Sequence, residues 1–490
     1  MSAILLVQGD AVQIPLREKS VQCCVCSPPY FGLRSYTGVE PSIWGGDPAC
    51  THKWSKPNST PKRGHPGDKS TLVGTQTAML SKEATDQGSV CLRCGSWRGM
   101  LGNENTPDCL AWARSEPPCP RCYVCHLRTV FASVWRVLRD DGTLWLNCGD
   151  SYTNGNRMTH GTRVGNKQQT NRGSNGTNDP PRAPQPPGLK PKNLLGIPWR
   201  VALALQEDGW ILRSAITWCK RSPMPESVRD RPTSATEMVF MFAKQSQYFY
   251  DAVAVQEPSV SDHASGNGYA RAPRLSYNGR GQDAPWTNIG GSRNLRNFWV
   301  LGPEGFSGQH YATFPRALVE RCIRAGSSEH GCCSACGAPQ VRQVERITGE
   351  VPSHNGSSFL RGKTHDARFL LAAVGIRERT VAVTTTCWAT SCACKAGAPR
   401  PCIVFDPFCG SGTSMLVALA LGRHAVGLDL SYPYLKTQAR PRLQLDALKA
   451  WETDTGNGHQ PHESYEDLPL FASPEKESSH EDRLHAEKQV

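Results

Sequence analysis

The sequence predicts an α/β protein with an open sheet that carries ligands at the carboxyl ends of its strands. Two observations predict it. Near the start, the apolar run Val21-Gln22-Cys23-Cys24-Val25-Cys26 leads into Ser27-Pro28-Pro29-Tyr30. Near the end, Cys402-Ile403-Val404-Phe405 leads into Asp406-Pro407-Phe408-Cys409-Gly410-Ser411-Gly412-Thr413, which opens a helix-like stretch to Leu421. Each loop leaves the end of a buried strand, where open α/β sheets place their ligands. The chain has 490 residues, enough for a sizeable core and more than one domain. Only 38% of it is hydrophobic, and its 45 glycines and 37 prolines imply extensive loops.

The remaining elements follow in chain order. Residues 3–7 and 21–26 read as short buried strands, after which 38–126 breaks the α/β pattern with Gly, Pro, Ser, Cys and His. Apolar residues at 127, 130, 131, 134, 137 and 138 have helical spacing. Asp140-Asp141-Gly142 predicts a turn into a strand over 143–148. Residues 153–193 are rich in Asn, Gly, Pro and Thr, hold seven basic residues against one acid, and bury too little apolar surface to order themselves. Pro198 starts a helix that ends at Gly209, and a strand follows over 210–218. Residues 237–242 and 248–250 read as a strand pair, expected as an antiparallel edge. The stretch 254–309 is polar and irregular, 314–323 helical, 331–401 cysteine-rich, and 402–440 strand, helix, strand, helix.

Charge narrows the choice of partner. The formal net charge is +12, but ten acidic and three basic residues follow from Trp451 on, a net of −7 that leaves +19 on residues 1–450. A body that basic suits a polyanion such as nucleic acid. The five apolar residues Ala3-Ile4-Leu5-Leu6-Val7 are too few for a signal sequence. No run is long enough to span a bilayer, so no membrane partner and a cytoplasmic location are expected. In that compartment 21 cysteines point to metal sites rather than disulfides.

The turn Gly410-Ser411-Gly412 gains weight from its context of strand, helix and Asp429, nineteen residues beyond Gly410 at the end of the next strand. Glycines admit a ligand close to the backbone, a helix N-terminus favours an anion, and a distal carboxylate can bind ribose hydroxyls. A dinucleotide fits this logic as S-adenosylmethionine does, but Met415 stands where G-x-G-x-x-G needs its third glycine. Together with Ser27-Pro28-Pro29-Tyr30, the loop resembles the β-class DNA amino-methyltransferases, of phage or restriction-modification type, which modify N4 of cytosine or N6 of adenine. Segments 139–152, 190–200 and 223–233 with Glu237 extend the likeness to about half of the chain. Thr236 departs from it, where His is expected before the Glu, and Cys409 replaces the commoner Ala.

The resemblance implies a methyltransferase (Rossmann-like) sheet in permuted motif order and S-adenosylmethionine as cofactor. Asp406, Phe408, Gly410, Ser411, Gly412, Thr413 and Asp429 would hold the cofactor, Asp10 would approach its adenine, and Tyr311, Thr313 and Phe314 would flank its methionine. Ser27, Pro28, Pro29 and Tyr30 would be catalytic. The Ser27 hydroxyl and Pro28 carbonyl accept the amino protons, two prolines stiffen the loop, and Tyr30 offers a stacking face. The target base must leave its duplex first. Ser27 in first position goes with N4-cytosine, adenine N6 being the alternative. Cys23, Cys24 and Cys26 are expected in the core.

Cys50, His52, Cys91 and Cys94 have the spacing of one structural zinc site, and Cys333, Cys336, Cys392 and Cys394 that of another. Cys109, Cys119, Cys122 and Cys125 offer a further set. The organisation expected is a catalytic half of the sheet at 1–37, a zinc insertion at 38–126, and continuing sheet at 127–253 with a basic loop at 153–193. A target-recognition region at 254–309 follows, holding Arg271, Arg274, Arg280, Arg293 and Arg296 beside Tyr269, Tyr277 and Trp286. Then come a cofactor-flanking helix at 310–330, a second zinc insertion at 331–401, the cofactor half at 402–450 and an acidic tail at 451–490. Double-stranded DNA is the expected substrate, with a separate restriction endonuclease as a further partner. From another class, the chain could be a zinc-bearing DNA-binding protein with a degenerate methyltransferase fold, a reading that intact Ser27–Tyr30, Phe408–Gly412 and Asp429 oppose. The recognition sequence and oligomeric state are not legible.

Overall fold

A computed structural model describes residues 3–32, 41–55, 88–104, 106–153, 189–223, 225–258, 292–302, 304, 314–354 and 374–445. The chain divides into two compact units. The first comprises residues 1–249, 297–329 and 401–490, the second 250–296 and 330–400.

The first unit is built on a sheet of β1 (Ile4–Gln8), β2 (Val21–Cys26), β3 (Leu138–Cys148), β4 (Ile211–Lys220), β5 (Thr236–Ala243), β6 (Phe298–Leu301), β7 (Ile403–Asp406) and β8 (His424–Asp429). Their spatial order is β1-β8-β7-β2-β3-β5-β4-β6. All neighbours are parallel except β5, which runs antiparallel to both β3 and β4. Among the described residues, four helices of eight or more residues accompany it, α1 (Tyr123–Val137), α2 (Ile197–Glu207), α3 (Arg316–Gly326) and α4 (Thr413–Ala420), and a shorter helical run over 432–442 follows β8.

Central β2 shows why both faces are covered. All six of its residues are buried, and alternate side chains point to opposite faces. Cys24 and Cys26 join the core formed with Leu127, Val130, Phe131 and Val134 of α1 and with Val201 and Leu205 of α2. On the other face, α3 comes so close that a Cβ on Gly326 would lie 2.8 Å from Cys23 Sγ and 2.5 Å from Thr143 Oγ1. Burial pushes the Cys23 thiol up to about 12 and raises Cys24 and Cys26 as well. These are core thiols, as expected.

Several expectations need correction. The turn over 140–142 is a bulge inside β3: Val21 faces Leu138 while Cys23 already faces Thr143. Residues 248–250 form no strand; the Phe249 N–H bonds the Asp141 carbonyl in that bulge instead. The antiparallel strand β5 is interior, and the outer neighbour of β4 is β6, inside a stretch read as irregular. Helix α1 starts four residues before 127, with Cys122 as its N-cap, so part of the presumed insertion belongs to it.

The second unit contains a long antiparallel hairpin, Gln340–His354 with Val374–Thr390, which the cysteine-rich reading of 331–401 did not foresee. The unit also holds a short pair, Glu257–Pro258 with Ser292–Arg293. Asp251 anchors the hairpin, its carboxylate accepting from the Arg342 guanidinium at 3.0–3.1 Å. The Arg342 guanidinium also lies 4.4 Å from the Trp388 ring centroid. Among the described residues, no helix is long and apolar enough to cross a membrane.

Candidate active site

β2 and β7 are direct neighbours, so the loops after them open side by side at the carboxyl edge of the sheet. They line one cavity of about 1000 Å³. Ser27, Pro28, Pro29 and Tyr30 line it, as do Asp10, Phe314, Asp406, Phe408, Gly410, Ser411, Thr413 and Asp429. Gly412 sits just behind this wall as the N-cap of α4 with φ 76°, a left-handed conformation that suits glycine. Tyr311 and Thr313 lie outside the described residues, as do Arg271, Arg274, Arg280, Tyr269, Tyr277 and Trp286. Arg293 and Arg296 are described, and both pair with Glu257 at 3.2 and 2.9 Å.

Buried carboxylates hold the loop after β7. Asp406 Oδ1 accepts from the Phe408 N–H at 3.0 Å and Oδ2 from the Ser414 hydroxyl at 2.6 Å. Burial lifts its carboxyl to about 7, against the lowering effect of these donors. Asp429 Oδ2 accepts from the Gly410 N–H at 2.9 Å and Oδ1 from the Ser431 N–H at 2.8 Å. Its carboxyl is raised too, again by burial. Asp429 thus clamps the glycine turn, a role beyond the ribose contact expected of it. The Arg442 guanidinium donates to the hydroxyls of Ser411 and Thr413 at 2.8 and 2.7 Å. Asp10 accepts from the Val12 N–H at 3.0 Å and from the Ser42 hydroxyl at 2.7 Å.

The loop after β2 is tied down on two sides. In front, the Tyr30 hydroxyl donates to Glu237 Oε2 at 2.6 Å, with Asn147 Oδ1 at 3.0 Å beside the same proton. It lies 3.4 Å from the Ser27 hydroxyl, which donates to it. Glu237 also takes an ion pair from Lys220 at 2.5 Å. Burial raises the Tyr30 phenol well above its ordinary value, and the Glu237 charge adds to this. Behind, the Pro29 carbonyl accepts from the Tyr123 hydroxyl at 2.8 Å, and the Gly32 N–H bonds the Gly102 carbonyl at 2.8 Å. Gly149 passes so near the Tyr30 ring that a Cβ there would lie 2.3 Å from Cε2.

Sequence reasoning gave no role to several residues of this wall. Asn147, Asp150, Trp199 and Glu237 stood inside recognised segments, whereas Trp44 and Lys220 carried no signal. Lys220 and Glu237 meet only because β4 and β5 pair with Trp218 opposite Glu237. Thr236, the departure from the expected His, also lines the cavity.

Among the described residues, three quartets could each hold a metal ion, their ligand atoms within 4.8 Å of one another. They are Cys50, His52, Cys91 and Cys94; Cys109, Cys119, Cys122 and Cys125; and Cys333, Cys336, Cys392 and Cys394. In the first, Cys50 and Cys91 Sγ are 3.9 Å apart, and Cys94 Sγ lies 3.5 Å from His52 Nδ1. Ligands about 2.0–2.3 Å from one tetrahedral zinc ion have such spacings, so the donor sets fit.

The arrangement sets a glycine turn at a helix N-terminus beside a loop held on two sides by hydrogen bonds, both lining one cavity. The DNA methylase family model matches residues 21–333 and 395–440. The Type II methyltransferase M.XycI of Xanthomonas campestris pv. cyanopsidis is 44% identical over 328 residues, 66% of this chain and 73% of that protein. M.Cfr9I of Citrobacter freundii is 33% identical over 329 residues, 67% and 74% of the two. Among solved structures, the PvuII DNA methyltransferase, described as cytosine-N4-specific, overlays at a TM-score of 0.40 with 13% identity, covering 90% of this chain and 86% of that one. On the family model and the two relatives, the chain belongs to the N6/N4 DNA methylases, the amino-methyltransferases of DNA.

Proposed function

We propose that the chain transfers a methyl group from S-adenosylmethionine to the exocyclic N4 of a cytosine flipped out of double-stranded DNA, at a specific site. One observation carries the reading: the Ser27–Tyr30 loop and the Asp406–Ser411 loop, with Asp429, line a single cavity. The cofactor supplies an electrophilic methyl on a sulfonium. In this reading the Gly410–Gly412 turn and the N-terminus of α4 receive its carboxylate end, and Asp429 holds the turn while facing the ribose. Asp10 and Trp44, which line the same cavity, would hold its adenine.

An exocyclic amine is a weak nucleophile because its lone pair is delocalised into the ring. The Ser27 hydroxyl and Pro28 carbonyl accept hydrogen bonds from its two N–H groups and turn the lone pair towards the methyl group; the methylated nitrogen then loses one proton to solvent. Tyr30, fixed by Glu237 and Asn147, stacks against the base and keeps the loop from moving as charge develops. No covalent enzyme intermediate is required, in keeping with the raised thiols of Cys23, Cys24 and Cys26. Ser27 in first position supports cytosine over adenine. Zinc at Cys50/His52/Cys91/Cys94 and at Cys333/Cys336/Cys392/Cys394 would staple lobes with little core. Type II relatives suggest a separate restriction endonuclease that recognises the same site.

The test is nucleoside mass spectrometry of DNA incubated with the purified chain and S-adenosylmethionine. N4-methylcytosine is expected. N6-methyladenine would keep the mechanism and overturn the base, and absence of both with cofactor still bound would point to an RNA or protein substrate. Failure to bind cofactor at all would favour the degenerate DNA-binding reading.

A further inference from the structure

We propose that Cys109, Cys119, Cys122 and Cys125 hold a further zinc ion, and that this ion positions the catalytic loop through Tyr123. The positioning half rests on the functional reading above. The metal half does not.

Geometry supports the site. Cys109 Sγ lies 3.6 Å from the Sγ atoms of both Cys122 and Cys125, and all four sulfurs fall within 4.8 Å. Two thiolates about 2.3 Å from one tetrahedral ion stand about 3.8 Å apart. A disulfide needs about 2.05 Å, so this is no bridge. Cys122 and Cys125 are buried, and Cys109 and Cys119 are half-buried. Between Cys109 and Cys122 the only regular structure is one short turn, Trp112–Arg114. A segment so poor in backbone pairing needs another anchor, and an ion joining Cys109 and Cys119 to the first turn of α1 provides it.

The site is wired directly to the catalytic loop. Cys122 is the N-cap of α1, and its sulfur accepts from the Cys125 N–H at 3.3 Å. The next residue, Tyr123, is fully buried and donates from its hydroxyl to the Pro29 carbonyl at 2.8 Å. Asp108, beside Cys109, takes an ion pair from Arg200 of α2 at 2.9 Å, and the neighbouring Trp199 lines the cavity. The same ion therefore fixes the back of the Ser27–Tyr30 loop and the first turn of α2. Tyr123 is a positioning residue, since it touches the loop and not the reacting atoms.

The experiment uses the full chain purified without chelator, with zinc per chain measured by elemental analysis. Cofactor affinity is measured by titration and methyl transfer in a single turnover. Cys119→Ser is expected to carry one zinc fewer than the wild type and to transfer methyl about tenfold or more slowly with unchanged cofactor affinity. Cys119→His, which restores a zinc ligand, is expected to recover both. Tyr123→Phe is expected to keep the full zinc content and cofactor affinity while the single-turnover rate falls about tenfold. This variant decides the positioning role even if Cys119→Ser does not fold. Unchanged zinc content in Cys119→Ser overturns the metal site. An unchanged rate in Tyr123→Phe overturns the coupling. The zinc count is read without substrate, so one fewer zinc in Cys119→Ser, from a wild type that methylates no DNA, supports the site and sinks the functional reading instead.

Discussion

Among the described residues, the Ser27 hydroxyl has one weak partner, the Tyr30 hydroxyl at 3.4 Å, which leaves its oxygen able to turn towards a substrate amine. Ser27→Ala is therefore expected to lower the single-turnover methylation rate by roughly a hundredfold, the usual scale for removing one polar group aimed at a developing charge. Cofactor affinity should stay within about twofold, since Ser27 belongs to the other wall. Comparable losses in rate and cofactor binding would show that Ser27 organises the cavity instead. Asp406 carries a different expectation. Its folded carboxyl is raised to about 7 from 3.8, so the folded state binds the proton more tightly than the unfolded one. The contribution of Asp406 to stability is then greatest at low pH and declines as pH rises from about 4 to about 7, by at most about 1.4 kcal/mol per unit. Asp406→Asn removes this penalty, so thermal melts without cofactor should show the variant gaining on the wild type between pH 5 and pH 7. A gap that is flat with pH would contradict the assignment.

At the scale of elements, the turn after β3 brings Gly149 against the Tyr30 ring. Gly149→Ala must displace that ring, the Glu237–Tyr30 bond with it, and lower methylation by tenfold or more, on the order of 1.4 kcal/mol. Melting should change by only a few degrees, because the site lies at the rim of the sheet. An unaffected rate would mean that the Tyr30 position is not needed. The sequence made some elements plain and hid others for physical reasons. β2 and β7 were legible because a strand covered on both faces reads as an unbroken apolar run. β6 was not, since Phe298-Trp299-Val300-Leu301 is only four residues in a polar stretch and gains its meaning from a neighbour eighty residues away. The hairpin over 340–354 and 374–390 hid behind charged residues such as Arg342, Glu345 and Arg379, which interrupt the alternation of apolar and polar residues by which a strand is read. Both loops of the site were readable as local motifs. The Tyr30–Glu237–Lys220 chain was not, being a product of strand register.

For the whole molecule, charge is the property that reaches furthest. The +19 on residues 1–450 predicts that DNA binding is dominated by phosphate contacts and released counterions. A plot of log Kd against log salt should then be steep, corresponding to roughly four or more phosphates neutralised, with the association rate falling as salt rises. A shallow slope would shift the weight to base contacts and stacking.

The sheet order has a consequence in time. β1 pairs with β8, Ile4 opposite Ala425 and Gln8 opposite Asp429, and β2 pairs with β7. β1 thus waits for a partner more than 400 residues later in the chain, and the catalytic loop has no companion wall until the cofactor strands emerge. At about 5–20 residues per second the ribosome needs on the order of 20–80 s to supply them. During synthesis the N-terminal half exposes unpaired strand edges that are open to wrong partners. A nascent chain should be silent as an enzyme until β7 and β8 have emerged and paired.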